Sequence, residues 1–175
     1  PDGVVFSSAP NCTPTSTTVA MNDGGVTFYA SARRAQQYSI TATGFSVQST
    51  DAAVFTVDAG APTVFVVATQ PMTPLDAAGC TQVTLERRDA FMNPSPGAAQ
   101  AFTVGVNTTG VLSVHGDAAS CASGTAGPAL GFAAGQTRAT FFVRGRLVGT
   151  STLTASVVPL RSAIVPRFGS MCRRR

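Results

Sequence analysis

The sequence has no lysine and no tryptophan, one histidine (His115), one glutamate (Glu86) and two tyrosines (Tyr29 and Tyr38). Each shortage removes a class of function. Without tryptophan, an aromatic platform for stacking sugar rings has little to build from. A hydrolytic triad would have to take His115 as its base, and neither a G-x-S-x-G elbow nor a glycine-rich phosphate loop occurs. At the junction of a strand and a loop, His115 reads as a surface side chain. Paired-carboxylate glycosidase chemistry would rest on aspartates, none of which is singled out. No apolar run approaches the roughly 20 residues of a membrane span, and no basic leader precedes an apolar segment. The sequence therefore reads as soluble, without membrane insertion, any export signal lying outside it. All twelve basic residues are arginine, a bias that GC-rich coding explains as readily as any demand on the surface.

Apolar residues make up 44% of the chain, ample for a packed core, while charged residues make up only 11%. Thr, Ser, Ala, Gly and Val dominate short stretches, a composition suited to sheets and turns rather than helices. Period-two alternation is clear where Phe102, Val104 and Val106 interleave with Thr103 and Gly105. It recurs where Leu153, Ala155 and Val157 interleave with Thr152, Thr154 and Ser156. Further strands are expected at 3–8, 17–21, 26–31, 37–43, 52–57, 63–69, 81–88, 111–115, 139–144 and 163–168. Turn clusters such as "MNDGG", "DAGAP" and "NPSPG" separate them. Many short strands at this spacing predict an all-β sandwich or barrel.

The stretch "VTFYASARRAQQYSITATG" is echoed by "ATFFVRGRLVGTSTLTASV". A shift of 113 residues superposes Phe28 on Phe141, Arg33 on Arg146, Thr41 on Thr154, Ala42 on Ala155, Ser49 on Ser162 and Phe55 on Phe168. Upstream the register slips slightly, and "VVFSSAPNC" aligns with "VLSVHGDAASC", pairing Cys12 with Cys121. Such periodicity marks tandem units that each bury a core. The expected organisation is the C-terminal half of a first repeat at 1–57, a complete second repeat at 58–168 and a basic tail at 169–175.

The segments "CTQVTLERRDAFMNPSP", "VLSVHGDAASC" and "LGFAAGQTRATFFVRGRLVGTSTLTASV" resemble the bacterial immunoglobulin-like tandem repeats of long secreted proteins, notably of myxobacteria. The resemblance covers 60–168 and, as a half copy, 1–57. It departs at Met92, where such repeats usually carry glycine after "DAF". What it implies is an antiparallel immunoglobulin-like β-sandwich in tandem, an extracellular or cell-surface location, and a stalk, adhesin or assembly role without catalysis or cofactor.

Cys80 and Cys121 fall at corresponding places across a sandwich, with no C-x-x-C spacing for zinc or redox chemistry, and are expected to be bonded. By analogy, Cys12 is expected to pair with a cysteine of the absent half of the first repeat, and Cys172 has no repeat counterpart; a bond of the two to each other, to another chain, or to nothing also stands open. Asp89 and Asn93 in "DAFMNPSPG" read as turn-capping groups, since calcium takes about six to eight oxygens. A net charge of +4 invites a nucleic-acid reading, but the arginines come in isolated pairs without interleaved aromatics. The expectation is no nucleic acid. Arg33, Arg34, Arg144 and Arg146 are candidate loop contacts, and the three arginines at 173–175 could meet an anionic polysaccharide or lipid surface. A half-repeat exposes an apolar face, so Val5, Phe28, Ile40 and Phe55 are candidate interface residues toward strands of the same chain or of a neighbouring subunit, as in a homo-oligomeric filament. The function expected is a structural stalk or assembly module. The alternatives are an adhesin that binds a glycan or protein through its loops, and an accessory domain of a secreted hydrolase.

Overall fold

Alternating apolar and polar side chains generate short strands along the chain, in a computed structural model that describes residues 3–13, 15–20, 25–41, 52–70, 74–157 and 173–174. In order these are β1 (Val5–Ser7), β2 (Tyr29–Ser31), β3 (Gln36–Ile40), β4 (Ala53–Val57), β5 (Val64–Thr69), β6 (Cys80–Arg88), β7 (Gln100–Val106) and β8 (Leu112–His115). They continue with α1 (Ala118–Ser123), β9 (Gly131–Phe132), β10 (Arg138–Gly145), β11 (Leu153–Val157) and β12 (Arg173–Arg174). All named strand pairs are antiparallel. The fold is all-β, with one six-residue helix among the described residues. Two compact units emerge, one formed by 1–59 with 163–175 and the other by 60–162.

In the unit spanning 60–162, one sheet has the order β5-β6-β10-β8 and a second the order β11-β7-β9. The central strand β10 pairs with β6 from Arg138↔Glu86 to Arg144↔Cys80 and with β8 from Phe142↔His115 to Gly145↔Leu112. Its period-two pattern buries Ala139, Phe141 and Val143 on one face. Val83 and Leu85 of β6 join them, and Phe102 and Phe132 come from the second sheet, so both sheets feed one core. Phe102 lies 5.5 Å from Phe132 and 6.1 Å from Phe141 between ring centroids, spacings at which tilted rings attract through their quadrupoles. Phe102 and Phe141 are fully enclosed, while Val104 and Leu153 pack half-buried against this core. Gly145 is required by a close approach: a Cβ there would meet the backbone carbonyl of Asp76, whose loop is held by Ala78 N–H donating to Gly145 O at 2.9 Å.

In the other unit, β2 lies between β1 and β12, while β3 and β4 form a separate antiparallel pair. Phe6 packs edge-on against Phe28 with centroids 5.4 Å apart, and Tyr38 stacks on Phe55 at 5.3 Å.

Most expected strands form within one to three residues of their predicted limits. The strand expected at 17–21 does not form over 17–20; Ser16 makes an isolated bridge to Phe6, and its hydroxyl bonds the backbone of Thr18 instead. Serine and threonine side chains offer the backbone local partners that compete with a ladder. Residues 21, 42–43 and the strand expected at 163–168 lie outside the described residues. Within the predicted basic tail, Arg173 and Arg174 form a strand on β2.

Met92 occupies the left-handed region at φ 66°, in the turn closed by its own N–H donating to Asp89 O at 3.0 Å. This is the position at which the resembling repeats carry glycine. A non-glycine residue there costs about 1–2 kcal/mol, against roughly 0.5–1 kcal/mol of extra unfolded-state entropy for glycine. Met92→Gly is therefore expected to raise stability by about 0.5–1 kcal/mol in urea unfolding, while Met92→Ala, which keeps the strain, brings no gain. Destabilisation by the glycine would contradict this account of the turn.

Candidate functional site

Three neighbourhoods concentrate polar chemistry. The first is the end of the 60–162 unit where β6 begins. Cys80 opens β6, and Cys121, fully enclosed, sits on α1; the two are disulfide-bonded with Cα atoms 6.1 Å apart. The sequence places α1 locally: Asp117 accepts from Ser120 N–H at 2.6 Å as the N-cap, and Gly124 ends the helix at φ 74°. Arg144 donates to the carbonyls of Cys121 and Ala122 at 2.9 and 2.8 Å, satisfying groups that a helix end leaves without partners. This candidate loop contact is thus half-buried and engaged within the unit, whereas Arg146 is exposed. A shallow depression here is lined by Ala77, Ala78, Ser113, Ser123, Arg144 and Arg146, among others.

His115 lies under this helix rather than on the surface expected for it, with 5% of its area accessible. The chain that leaves α1 after Gly124 folds back over the ring, so that Nδ1 meets the carbonyl of Thr125 at 2.8 Å, while Nε2 meets the hydroxyl of Ser113 at 2.9 Å. A carbonyl can only accept, so Nδ1 carries a proton, and in the neutral ring Nε2 then accepts from Ser113. That polarity matches a serine and its general base. Here, however, a neutral carbonyl orients the ring in place of a carboxylate, and the imidazole is packed away; its evident work is to tie 113–125 together.

The second neighbourhood is the turn after β6. Asp89 is buried and its carboxylate accepts from the N–H groups of Phe91 (2.8 Å), Asn93 (2.9 Å) and Gly60 (2.9 Å) and from the Asn93 amide (2.9 Å). The turn-capping reading of Asp89 and Asn93 thus describes their geometry. Ser95, also buried, donates its hydroxyl to Gly60 O, which fastens the start of the unit to the same turn. Next to it, Glu86 accepts from Arg88 Nε and Arg138 Nε, both at 2.7 Å. Arg87 is enclosed and donates to the carbonyls of Ala98 and Gly97 at 2.7 Å, its guanidinium 5.1 Å from the Phe132 ring centre. Its Nε has no acceptor, and burial pulls the guanidinium below its ordinary pKa. Sequence reading missed this cluster, although the alternation of Val83, Leu85 and Arg87 on one face of β6 carried the signal.

The third neighbourhood is the unit formed by 1–59 and 163–175. Val5, Phe28, Ile40 and Phe55 are all half-buried. Arg33 and Arg34 are exposed in the connection from β2 to β3, as Arg146 is in the connection from β10 to β11. Cys12 is buried and disulfide-bonded; Cys172 lies outside the described residues. Among the described residues no group of three or more His, Cys, Asp or Glu gathers to hold a metal, and no helix is long and apolar enough to cross a membrane. No protein-family model and no curated protein matches the chain.

Burial alone raises the pKa of Asp89, but the Asn93 amide and the N–H groups of Gly60, Asn93 and Phe91 outweigh it and hold the carboxyl below its ordinary value. Burial likewise raises Glu86, and the hydrogen bonds and charges of Arg138 and Arg88 bring it down. Folded pKa values below the unfolded ones contribute stability that is present above about pH 4 and is lost as pH falls through the folded values. Urea midpoints are accordingly expected to hold from neutral pH to about pH 5 and to fall below about pH 4. Asp89→Asn is expected to cost about 1–3 kcal/mol at neutral pH and to flatten part of that acid slope. An unchanged slope in the variant would show that Asp89 is not the group being titrated.

Proposed function

We propose that the chain is a non-catalytic, extracellular immunoglobulin-like module, working as a stalk or assembly element of a surface protein. The observation that carries this reading is strand order. Lettered in sequence, β5, β6, β7, β8, β10 and β11 take the places A, B, C, D, E and F. One sheet then runs A-B-E-D and the other sets F beside C, with the two-residue β9 on the other edge of C; apart from β9, this order is that of immunoglobulin sheets. The Cys80–Cys121 bond suits an oxidising compartment. The tandem reading draws support from pairing as well as sequence, because β2 is flanked on both edges just as β10 is. The buried ionisable side chains among the described residues, Glu86, Arg87, Asp89 and His115, are each engaged in holding strands and turns, which is the work of a scaffold.

A second reading, an adhesin acting through its loops, is favoured by one feature. Arg146, Leu147 and Val148 stand exposed together in the connection between β10 and β11, Leu147 at 66% and Val148 fully. A protein partner fits this mixed basic and apolar tip better than a sugar does.

Cell fractionation with thiol trapping tests the main proposal: the chain is expected outside the cytoplasmic membrane with Cys80 and Cys121 oxidised, and recovery in the cytosol with free thiols would overturn it. Breaking that bond, which spans 41 residues, is expected to destabilise the unit by about 4 kcal/mol in the chain-entropy model. A fluorophosphonate probe is expected to leave Ser113 unlabelled; stoichiometric labelling there would establish a catalytic serine and remove the scaffold reading.

A further inference from the structure

Arg144 and Arg146 alternate with the enclosed Val143 and Gly145 at the end of β10, and both line the depression beside α1 together with Ser113, Ser123 and Ala78. Its volume is about 400 Å³, at the lower end of the range for small-ligand sites. Among the described residues no carboxylate lines it; Asp117 is engaged elsewhere, as the N-cap of α1. Two guanidinium groups therefore share the depression without a counter-charge.

The hydroxyls and peptide groups around it are already committed. Ser113 bonds His115 Nε2, Ser123 donates to the carbonyls of Ala119 and Ser120, Ala78 N–H donates to Gly145 O, and Arg146 N–H donates to Val111 O. Open donor capacity lies on the arginines. Arg144 uses Nη1 for the carbonyls of Cys121 and Ala122, and Nη1 lies so close over Gly124 that a Cβ there would sit 2.6 Å from it. The guanidinium is thus fixed before any ligand arrives, while its Nε and Nη2 have no acceptor among the described residues. Those two nitrogens form the edge whose parallel N–H groups match the two oxygens of a carboxylate. The exposed Arg146 guanidinium has no acceptor among the described residues either.

The loop that follows is fastened at both arms. Leu147 N–H joins Arg146 N–H on the carbonyl of the buried Val111. On the other arm, Asn107 Oδ1 accepts from the Ser151 hydroxyl and from Thr152 N–H. Leu147 and Val148 are therefore exposed on a backbone that is already ordered, which lowers the entropy a partner must overcome to bind there.

We propose that the depression and this loop form one docking site for an acidic, aliphatic peptide segment of a partner protein. An aspartate or glutamate carboxylate of the partner seats on the Nε–Nη2 edge of Arg144 with Arg146 beside it, and a neighbouring aliphatic side chain covers Leu147 and Val148. The inference rests on the loop-binding reading above and names the chemistry of the partner. Charge complementarity selects an anion. The aliphatic pair next to it selects a peptide over an acidic polysaccharide, which has no apolar side chain to place there and finds no tryptophan to stack on.

The probe is a capped hexapeptide alternating glutamate and leucine, titrated into the whole 175-residue chain while the arginine Nε–H resonances are followed. Saturable shifts at Arg144 and Arg146 are expected, with the glutamine counterpart of the peptide binding about tenfold more weakly or worse. Because the Arg146 side chain bonds nothing in the fold, Arg146→Gln leaves the unit intact and is expected to weaken binding about threefold. Replacing Leu147 and Val148 together by serine is expected to weaken it by about threefold or more. Equal binding of the glutamine peptide, or unshifted Arg144 and Arg146 resonances, would overturn the proposal. So would a sulfated oligosaccharide that binds more tightly than the peptide and is indifferent to the Leu147 and Val148 replacements. Peptide binding that depends on Leu147 and Val148 but not on the glutamate charge would overturn this inference and leave the loop-binding reading standing; no resonance of 146–148 shifting with either peptide would count against both.

Discussion

Two-sided pairing of a middle strand is the constraint on which the rest of the structure depends. β10 satisfies the backbone groups of both its edges through β6 and β8. Only then can Ala139, Phe141 and Val143 be presented together as a rigid apolar row. Phe102 and Phe132 of the second sheet close on that row. Loss of either flanking strand would expose unpaired N–H and C=O groups and open one side of the core, so hydrogen bonding and hydrophobic burial stand or fall together here. The disulfide and Arg144 act on the same element, since Cys80 begins β6 opposite Arg144 and that guanidinium binds the helix carrying Cys121. Together they tie β6, β10 and α1 at one end.

At the other end of β6, charged groups do the fastening. An isolated buried ion is expensive, and an ion pair that loses one partner is worse. Glu86 meets this cost with two arginines, Asp89 with three N–H groups and an amide, and Arg87 with backbone carbonyls and the Phe132 face. Such an arrangement contributes specificity of register more than net energy. Sliding β6 by one residue would turn Arg87 away from its carbonyls and put Glu86 into the apolar row. The turn that holds Asp89 also anchors Gly60 through Ser95, which fixes where the unit begins.

Much of the strand pattern was legible because period-two alternation and turn clusters are local signals: β4, β5, β6, β7, β10 and β11 all begin and end within about two residues of expectation. Features decided by contacts distant in sequence were not legible. β9 is two residues long and exists because Gly131 and Phe132 meet Ala101 and Gln100. Helix α1, built from "AASCAS", has no amphipathic stripe and is defined by its caps, by Arg144 and by the disulfide. His115 read as exposed because nothing local announces that the Thr125 carbonyl will return over it. β12 read as a charged tail because an arginine run carries no strand signal; the pairing comes from the vacant edge of β2. Of the candidate site, the Cys80–Cys121 bond was legible in the places of the two cysteines across a sandwich, whereas the buried Arg87 needed only the alternation to be followed one step past Leu85.

The central claim is that each unit is organised around one middle strand flanked on both sides in the same register. Interstrand backbone NOEs test it most directly. The account predicts that Ala30 shows contacts to both Phe6 and Arg173, as Val143 does to Val114 and Thr81. A spectrum in which Ala30 contacts Phe6 alone, or contacts 173–174 in a shifted or parallel register, would contradict it.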